Sequence, residues 1–335
     1  MANRIKSSKK PFVVFFDGSE ALTEHQCKKI FNVVQLAQLD KNDFCLVTGS
    51  INAENDFDTI KLSLNLPYNF ILLTTNIYAD VVKAGKAKPK FEIKKKPKIF
   101  NCLNKNHRAH RAMLLADLIT NNLLDRSITS FYGGWQDDFT WFENLCQTVE
   151  IKYPEYASRL RDNKNLFPMH VNASSTQKSN PIWVDKDDEF IYNDTYFSLV
   201  TETLYFSDRF DFQSRSYVPG IFITEKTYKP VIMKHPFIIL SVPGFLKNLR
   251  SLGLKTFEPY IDESYDLEED DEKRIKLIVQ ETKRLYNFSD SEWINWLSNV
   301  EPIVEHNYNW IMNNPKLGLT DVSHIIERLK NGFHS

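Results

Sequence analysis

Short apolar runs bounded by turn-forming residues alternate with helical patterns along most of this chain. "PFVVFFDGSE" (11–20), "DFCLVTG" (43–49) and "NFILLTT" (69–75) are the first three such runs. Between the first two, residues Leu22 to Leu39 place Cys27, Ile30, Phe31, Val34 and Ala37 near one helical face. "KIFNCLN" (98–104), "SITSFY" (127–132), "YFSLVTET" (196–203) and the run after Pro236 continue the series, again with helical segments between them. Strands that alternate with crossover helices predict parallel sheet, hence an α/β fold.

At 335 residues the chain is long for one ordinary core. Lys83 to Lys98 holds eight lysines against one acid, Glu92, with Pro89 and Pro97 and little apolar pattern. It reads as an interdomain linker with an exposed face. The expectation is two facing Rossmann-like domains: residues 1–96, residues 97–315, and a helical C-terminal tail, 316–335, packing back on the first. Trp293, Trp296 and Trp310 are spaced to pack rather than to present sugar platforms. Residues 152–189 are irregular in pattern, with Pro154, Pro168 and Pro181.

The chain carries 10 glycines, and neither G-x-G-x-x-G nor G-x-x-x-x-G-K-[ST] occurs. Bound phosphates must therefore be held by side chains and a helix N-terminus. The formal net charge is −1, which gives no general reason to expect nucleic acid. Cys27, Cys45, Cys102 and Cys146 form no C-x-x-C and read as buried thiols of a reducing compartment. No apolar run approaches the ~20 residues of a membrane span. The expected location is the cytoplasm, that of a virus-infected host cell included.

In paired α/β domains, ligands sit beyond the carboxyl ends of the strands. That rule selects the loops after Phe16, Leu103, Thr201 and Ile223. The second offers His107, Arg108, His110 and Arg111 at a helix start, where arginine, free N–H groups and the helix dipole suit a phosphate. An ordinary basic helix start pairing with surface carboxylates is the alternative. The fourth, "TEKTYKP", puts Glu225 in a first turn where the dipole favours it, with Lys226 and Lys229 where a cation is unfavourable unless an anion joins it. Pro230 requires a kink or a later helix start. Asp185-Lys186-Asp187 matches the D-x-D of metal-dependent transferases at close to chance level, and His107 and His110 lack a third ligand, so no metal site is expected. Asp262, Glu263 and Asp266 read as caps before a long helix.

"FSLVTET" followed by "FITEKTYKPVIMKHPFIIL" resembles the donor-binding region of α-1,3-fucosyltransferase-like glycosyltransferases. Continuation into "LRSLGLKTFEPYIDESYD" resembles a group of phage and large-virus glycosyltransferases. The resemblance implies a GT-B fold with a nucleotide-diphosphate sugar as donor substrate and no other cofactor. It implies that Glu225 takes the ribose hydroxyls, that Lys226 takes the diphosphate with Arg108 or Arg111, and that Glu202 lies near the donor sugar. Lys229 and Pro230 stand where the fucosyltransferases have Arg-Asn, and lysine cannot copy an arginine fork, which leaves the sugar open as hexosyl or pentosyl. A carboxylate of the N-terminal half would deprotonate the acceptor hydroxyl. Of Asp17, Glu20, Glu24 and His25, Asp17 directly ends its strand, although a turn-forming role fits it equally. The acceptor is a glycan or, through the phage-like resemblance, a hydroxymethylated base of DNA, with the lysine run along its backbone. The competing class is a non-catalytic GT-B-like module that binds sugar or nucleic acid.

Overall fold

The computed structural model describes residues 13–40, 43–67, 70–133, 139–171, 183–211 and 216–314. They form two compact units. The first comprises the chain up to Val81 together with Asp208–Thr224; the second comprises Val82–Ser207 and Glu225–Asn313. The extent expected for a second domain, 97–315, thus spans an excursion into the first unit. The expected tail, 316–335, lies outside the described residues.

In the first unit β1 (Val13–Asp17), β2 (Phe44–Thr48) and β3 (Ile71–Thr74) form a parallel sheet in the order β1-β2-β3. β2 is buried along its whole length, as a continuous apolar run in the middle of a parallel sheet should be. β1 leaves Val14 and Phe16 exposed on alternate residues. Helix α1 (Glu24–Ala37) begins at a capping box in which Thr23 and Gln26 exchange hydrogen bonds. Helices α2 (Ala53–Leu64) and α3 (Ile77–Lys83) follow β2 and β3. Phe44, Phe57 and Phe70 form the aromatic centre of the core, with Phe57 and Phe70 ring centroids 4.6 Å apart.

Segment 208–224 packs on this unit. Ile51 N–H donates to the Ile221 carbonyl at 3.2 Å, and Phe222 meets Tyr78 edge to face. Gly220 lies against the Asp56 side chain of α2, which would have to shift to admit a Cβ.

The second unit is a four-stranded parallel sheet built from β4 (Phe100–Asn104), β5 (Ser127–Phe131), β6 (Phe197–Thr201) and β7 (Phe237–Leu240). Its order is β5-β4-β6-β7, so the winding reverses between β4 and β6. Helix α4 (Ala109–Thr120) is buried continuously from Ala109 to Leu118, because "AHRAMLLADL" is apolar on nearly every side. It is followed by α5 (Thr140–Glu150), α6 (Pro154–Asp162) and α7 (Glu189–Asn193). α6 falls within the stretch read as irregular. Pro154 occupies its first position, where a missing N–H costs nothing, and so starts the helix instead of breaking it.

Helix α8 (Glu225–Ile232) opens directly with Glu225 and runs through Pro230. α9 (Phe245–Ser251), α10 (Asp271–Tyr286) and α11 (Asp290–Asn313) complete the unit. α10 packs on α4, and α11 on α8. Trp293 and Trp296 are core residues; Trp293 stacks on Tyr196 with ring centroids 3.9 Å apart. Two α/β units with parallel sheets agree with the expected fold class. Among the described residues no helix is long and apolar enough to cross a membrane.

Candidate functional site

The reversal point of the second sheet is open. The β4–β6 ladder spans two residue pairs, Phe100 with Phe197 and Asn101 with Ser198, whereas β4 and β5 pair over five. Beyond that ladder Leu103, Val200 and Thr201 line a crevice of about 160 Å³. A reversal in strand order is where an open parallel sheet separates its crossovers and leaves a ligand site at the strands' carboxyl ends.

Five cationic side chains line this crevice: Lys105 and Arg108 from the loop after β4, Arg111 in the first turn of α4, and Lys226 and Lys229 of α8. Glu225 is the carboxylate among them. Arg111 is 3% exposed. Its guanidinium donates to the Asn106 carbonyl at 2.9 Å and the Thr201 carbonyl at 3.4 Å, and its Nε has no hydrogen-bond partner. Burial, then the charge of Arg108, lower its pKa to about 9, while Glu202 and Glu225 oppose the fall. It therefore stays cationic at neutral pH. The two carboxylates offset only part of the cost of burying this cation, so a further anion in the crevice would stabilise it.

Arg108 caps the start of α4 and donates to the Thr203 carbonyl at 3.3 Å. Lys226 Nζ lies 3.1 Å from Glu225 Oε1 and 3.3 Å from Thr203 Oγ1. Burial pushes the Glu225 carboxyl up, but the charges of Lys226 and Lys229 outweigh it and hold the group below the usual range. Lys229 is buried and its ammonium is lowered by burial, with Glu225 in partial compensation. Lys105 is likewise lowered by burial.

Glu202 does not line the crevice. It is fully buried; its carboxylate accepts from Thr227 Oγ1 at 2.6 Å and from the Thr203 N–H at 3.1 Å. His110 is also buried, stacked on Tyr205, with Nε2 2.9 Å from the Glu202 carbonyl. His107 packs against Trp141 and is held below its ordinary pKa by burial.

The remaining candidates have other settings. Asp17 ends β1 in the first unit, where Gln26 Nε2 donates to Oδ2. Burial raises its pKa and the Gln26 bond lowers it, with burial the larger influence. Glu24 accepts from Ser63, and the His25 N–H donates to Ser216 Oγ. Asp185 caps the 3-10 turn 186–188 in a reciprocal arrangement with Asp188, which accounts for the D-x-D match as local structure. Asp266 accepts from the N–H groups of Leu246 and Lys247 and so caps α9, a different helix from the one expected. Among the described residues no group of three or more His, Cys, Asp or Glu is arranged to hold a metal ion.

Within the lysine run, Lys90 and Lys94 pair with Glu92 and Lys95 pairs with Asp290. Lys96 is buried and donates to the Tyr192 and Asn193 carbonyls at the end of α7. Lys98 reaches the Asp125 carbonyl. Lys105, Thr203 and Thr227 escaped the sequence reading. Lys105 directly follows β4, so the carboxyl-end rule reaches it; the two threonines carry no signal apart from their neighbours.

No family model matches the sequence, and no curated protein does. Among solved structures, the N-terminal domain of trehalose-6-phosphate phosphatase from Candida albicans aligns over 98% of this chain and 72% of that one, at 11% identity and a TM-score of 0.46. A mutant of T4 phage BGT in complex with UDP-glucose aligns over 95% of this chain and 77% of that one, at 11% identity and 0.37. The GtfA/B complex aligns over 91% of this chain and 55% of that one, at 11% identity and 0.35.

Proposed function

We propose that the β4–β6 crevice binds the diphosphate of a nucleotide sugar and that the protein is a glycosyltransferase of GT-B type. The observation that carries this reading is Arg111: a buried guanidinium with an unpartnered Nε, at a helix start, in a crevice lined by four further cations. An anion with several charges and acceptors satisfies that arrangement. Glu225, kept ionised by its lysine neighbours, supplies the acceptor for ribose hydroxyls. Two α/β units with parallel sheets are the architecture a GT-B enzyme requires.

In the proposed reaction an acceptor hydroxyl oxygen attacks the anomeric carbon and the bond from that carbon to the diphosphate oxygen breaks. The electron pair departs with the nucleoside diphosphate, whose developing charge is met by Arg108, Arg111, Lys226 and Lys229. The hydroxyl proton passes to a carboxylate of the first unit, for which Asp17 is the candidate. Side-chain cations neutralise the leaving group in this scheme, so turnover continues in a chelator. The transferred group is a hexosyl or pentosyl residue. The lysine run favours a glycan or other small hydroxyl acceptor over DNA, since five of its eight lysines are engaged by carboxylates or carbonyls.

The test is nucleotide release from a panel of UDP-, GDP- and CDP-sugars. Wild type should turn over one class, and Lys226→Ala should lose that turnover with an unchanged melting temperature. Equal turnover by both proteins overturns this assignment of the site. Binding without turnover would support the non-catalytic module instead.

A further inference from the structure

Glu202 stands where the two cationic rims of the crevice meet. Its backbone N–H donates to the Leu240 carbonyl of β7 at 2.9 Å, which fixes the residue at the carboxyl edge of the sheet. Its carbonyl takes His110 Nε2, in the first turn of α4, at 2.9 Å. Its carboxylate takes the Thr227 hydroxyl, in the first turn of α8, at 2.6 Å. The other carboxylate oxygen takes the N–H of Thr203, whose hydroxyl in turn receives Lys226 Nζ at 3.3 Å.

α4 carries Arg111, with Arg108 at its cap, and α8 carries Lys226 and Lys229. One buried residue therefore bonds to both helices. Like charges on the two rims repel each other until a ligand arrives, so something must hold the helices against that repulsion. The two inward bonds have the chemistry to do so. His110 stays neutral, because burial and then the charges of Arg111 and Arg108 hold its pKa well below the ordinary value. Its single N–H is then committed to the Glu202 carbonyl. Thr227 is fully buried and has the Glu202 carboxylate as acceptor. A carboxylate beside the first turn of a helix also opposes the dipole's positive end.

We infer that Glu202 is a positioning residue that ties the arginine-bearing and lysine-bearing helices to one strand end, so that both deliver their cations to the same diphosphate. This rests on reading the crevice as a diphosphate site. It differs from a contact between Glu202 and the donor sugar, since the side chain lies beneath the crevice, not in it.

The test is calorimetric titration of inorganic pyrophosphate at pH 7.5 into wild type, Thr227→Val and Thr227→Ser. Valine keeps the shape and loses the hydroxyl, whereas serine keeps the hydroxyl. The expected result is a roughly tenfold weaker affinity for Thr227→Val, as for one lost hydrogen bond to a charged group, with Thr227→Ser close to wild type. A merely structural bond would lower the melting temperature and leave the affinity of the folded protein unchanged. Thr227→Val binding within twofold of wild type, or Thr227→Ser as weak as Thr227→Val, overturns the inference. Absence of binding by wild type overturns the diphosphate reading itself, and the inference with it. Should Thr227→Val not fold, Glu202→Gln replaces it. The amide has one acceptor oxygen for the two donors, Thr227 Oγ1 and the Thr203 N–H, so Glu202→Gln should bind pyrophosphate roughly tenfold more weakly, and binding within twofold of wild type overturns the inference.

Discussion

Lys226 Nζ lies 3.1 Å from Glu225 Oε1, with 24% of the lysine side chain and 18% of the glutamate side chain exposed. A pair so placed is neither a solvated surface bridge nor a sealed one. Lys226 helps to hold Glu225 in its charged form, and the pair leaves a face open to a ligand. If Lys226 meets the diphosphate, Lys226→Ala should weaken nucleoside diphosphate binding by ten- to a hundredfold, the range for a lost charge-assisted hydrogen bond (about 1.5–3 kcal/mol). If Glu225 meets the ribose, wild type should prefer ribo- over 2′-deoxynucleoside diphosphates, and Glu225→Ala should bind both alike. Competition calorimetry with the two nucleotides reads both outcomes.

The crevice should also report the titration of its lysines. Arg111 keeps its charge, since a guanidinium is not deprotonated in proteins. Lys229 and Lys105 are both lowered by burial. An ammonium is cationic below its pKa and neutral above it, so diphosphate affinity should be level near neutrality and decline at alkaline pH. The phosphates of the ligand are already fully ionised there, their last pKa being about 6. Lys229→Met should bind more weakly near neutrality and lose part of the alkaline decline, whereas Arg111→Met should bind weakly and keep it. Dissociation constants measured from pH 7 to pH 10 decide this, and an equal decline in wild type and Lys229→Met would assign it elsewhere.

Much of this architecture is legible in the sequence. The apolar runs and their helical spacers specify two parallel α/β units, and the carboxyl-end rule reaches Arg108, Arg111, Glu225 and Lys226. What is not legible is depth. Glu202 ends its strand as the rule requires, yet burial turns it from a ligand contact into support. In the sequence Arg111 and Lys229 are expected to meet phosphate, with a solvated helix start as the alternative, and only the structure shows that both are enclosed. The return of residues 208–211 and 216–224 to the first unit carries no signal in the sequence, because its contacts there are made across long separations: His25 with Ser216, Ile51 with Ile221, Tyr78 with Phe222.

The contact between Asp56 and Gly220 carries a stability prediction. Burial raises the Asp56 carboxyl to about 6, against a hydrogen bond from Ser50 and the charge of Arg209. A raised carboxyl contributes its stability below the unfolded value, near 4, and loses it as pH rises through 6. Above pH 6 the cost is up to ~3 kcal/mol, two pKa units at 1.36 kcal/mol each. Asp56→Asn should therefore raise the melting temperature at pH 7.5, with the gain fading below pH 4. Gly220→Ala should lower the melting temperature at every pH, because its Cβ would displace the Asp56 side chain. Melting curves from pH 3.5 to pH 8 check both.

Asp17 offers a kinetic prediction. A carboxyl raised by burial is better matched to abstracting a proton near neutrality than an exposed one. Asp17→Asn should lower the rate of transfer by about 10²- to 10⁴-fold and leave donor affinity within twofold. The acid limb of wild-type transfer should lie above that of a free aspartate. A variant that transfers at the wild-type rate would return Asp17 to the role of a turn residue.

On the proposed function, the second unit's crevice is a nucleoside diphosphate site. That reading is tested most directly by the melting temperature of wild type and Lys226→Ala across a concentration series of UDP, GDP and CDP. Stabilisation by a ligand of the folded state grows with concentration over affinity. The expected result is a wild-type melting temperature that climbs with one of the three nucleotides, and a Lys226→Ala curve displaced to at least tenfold higher concentration. No climb with any of them, or the same climb in both proteins, would contradict the account.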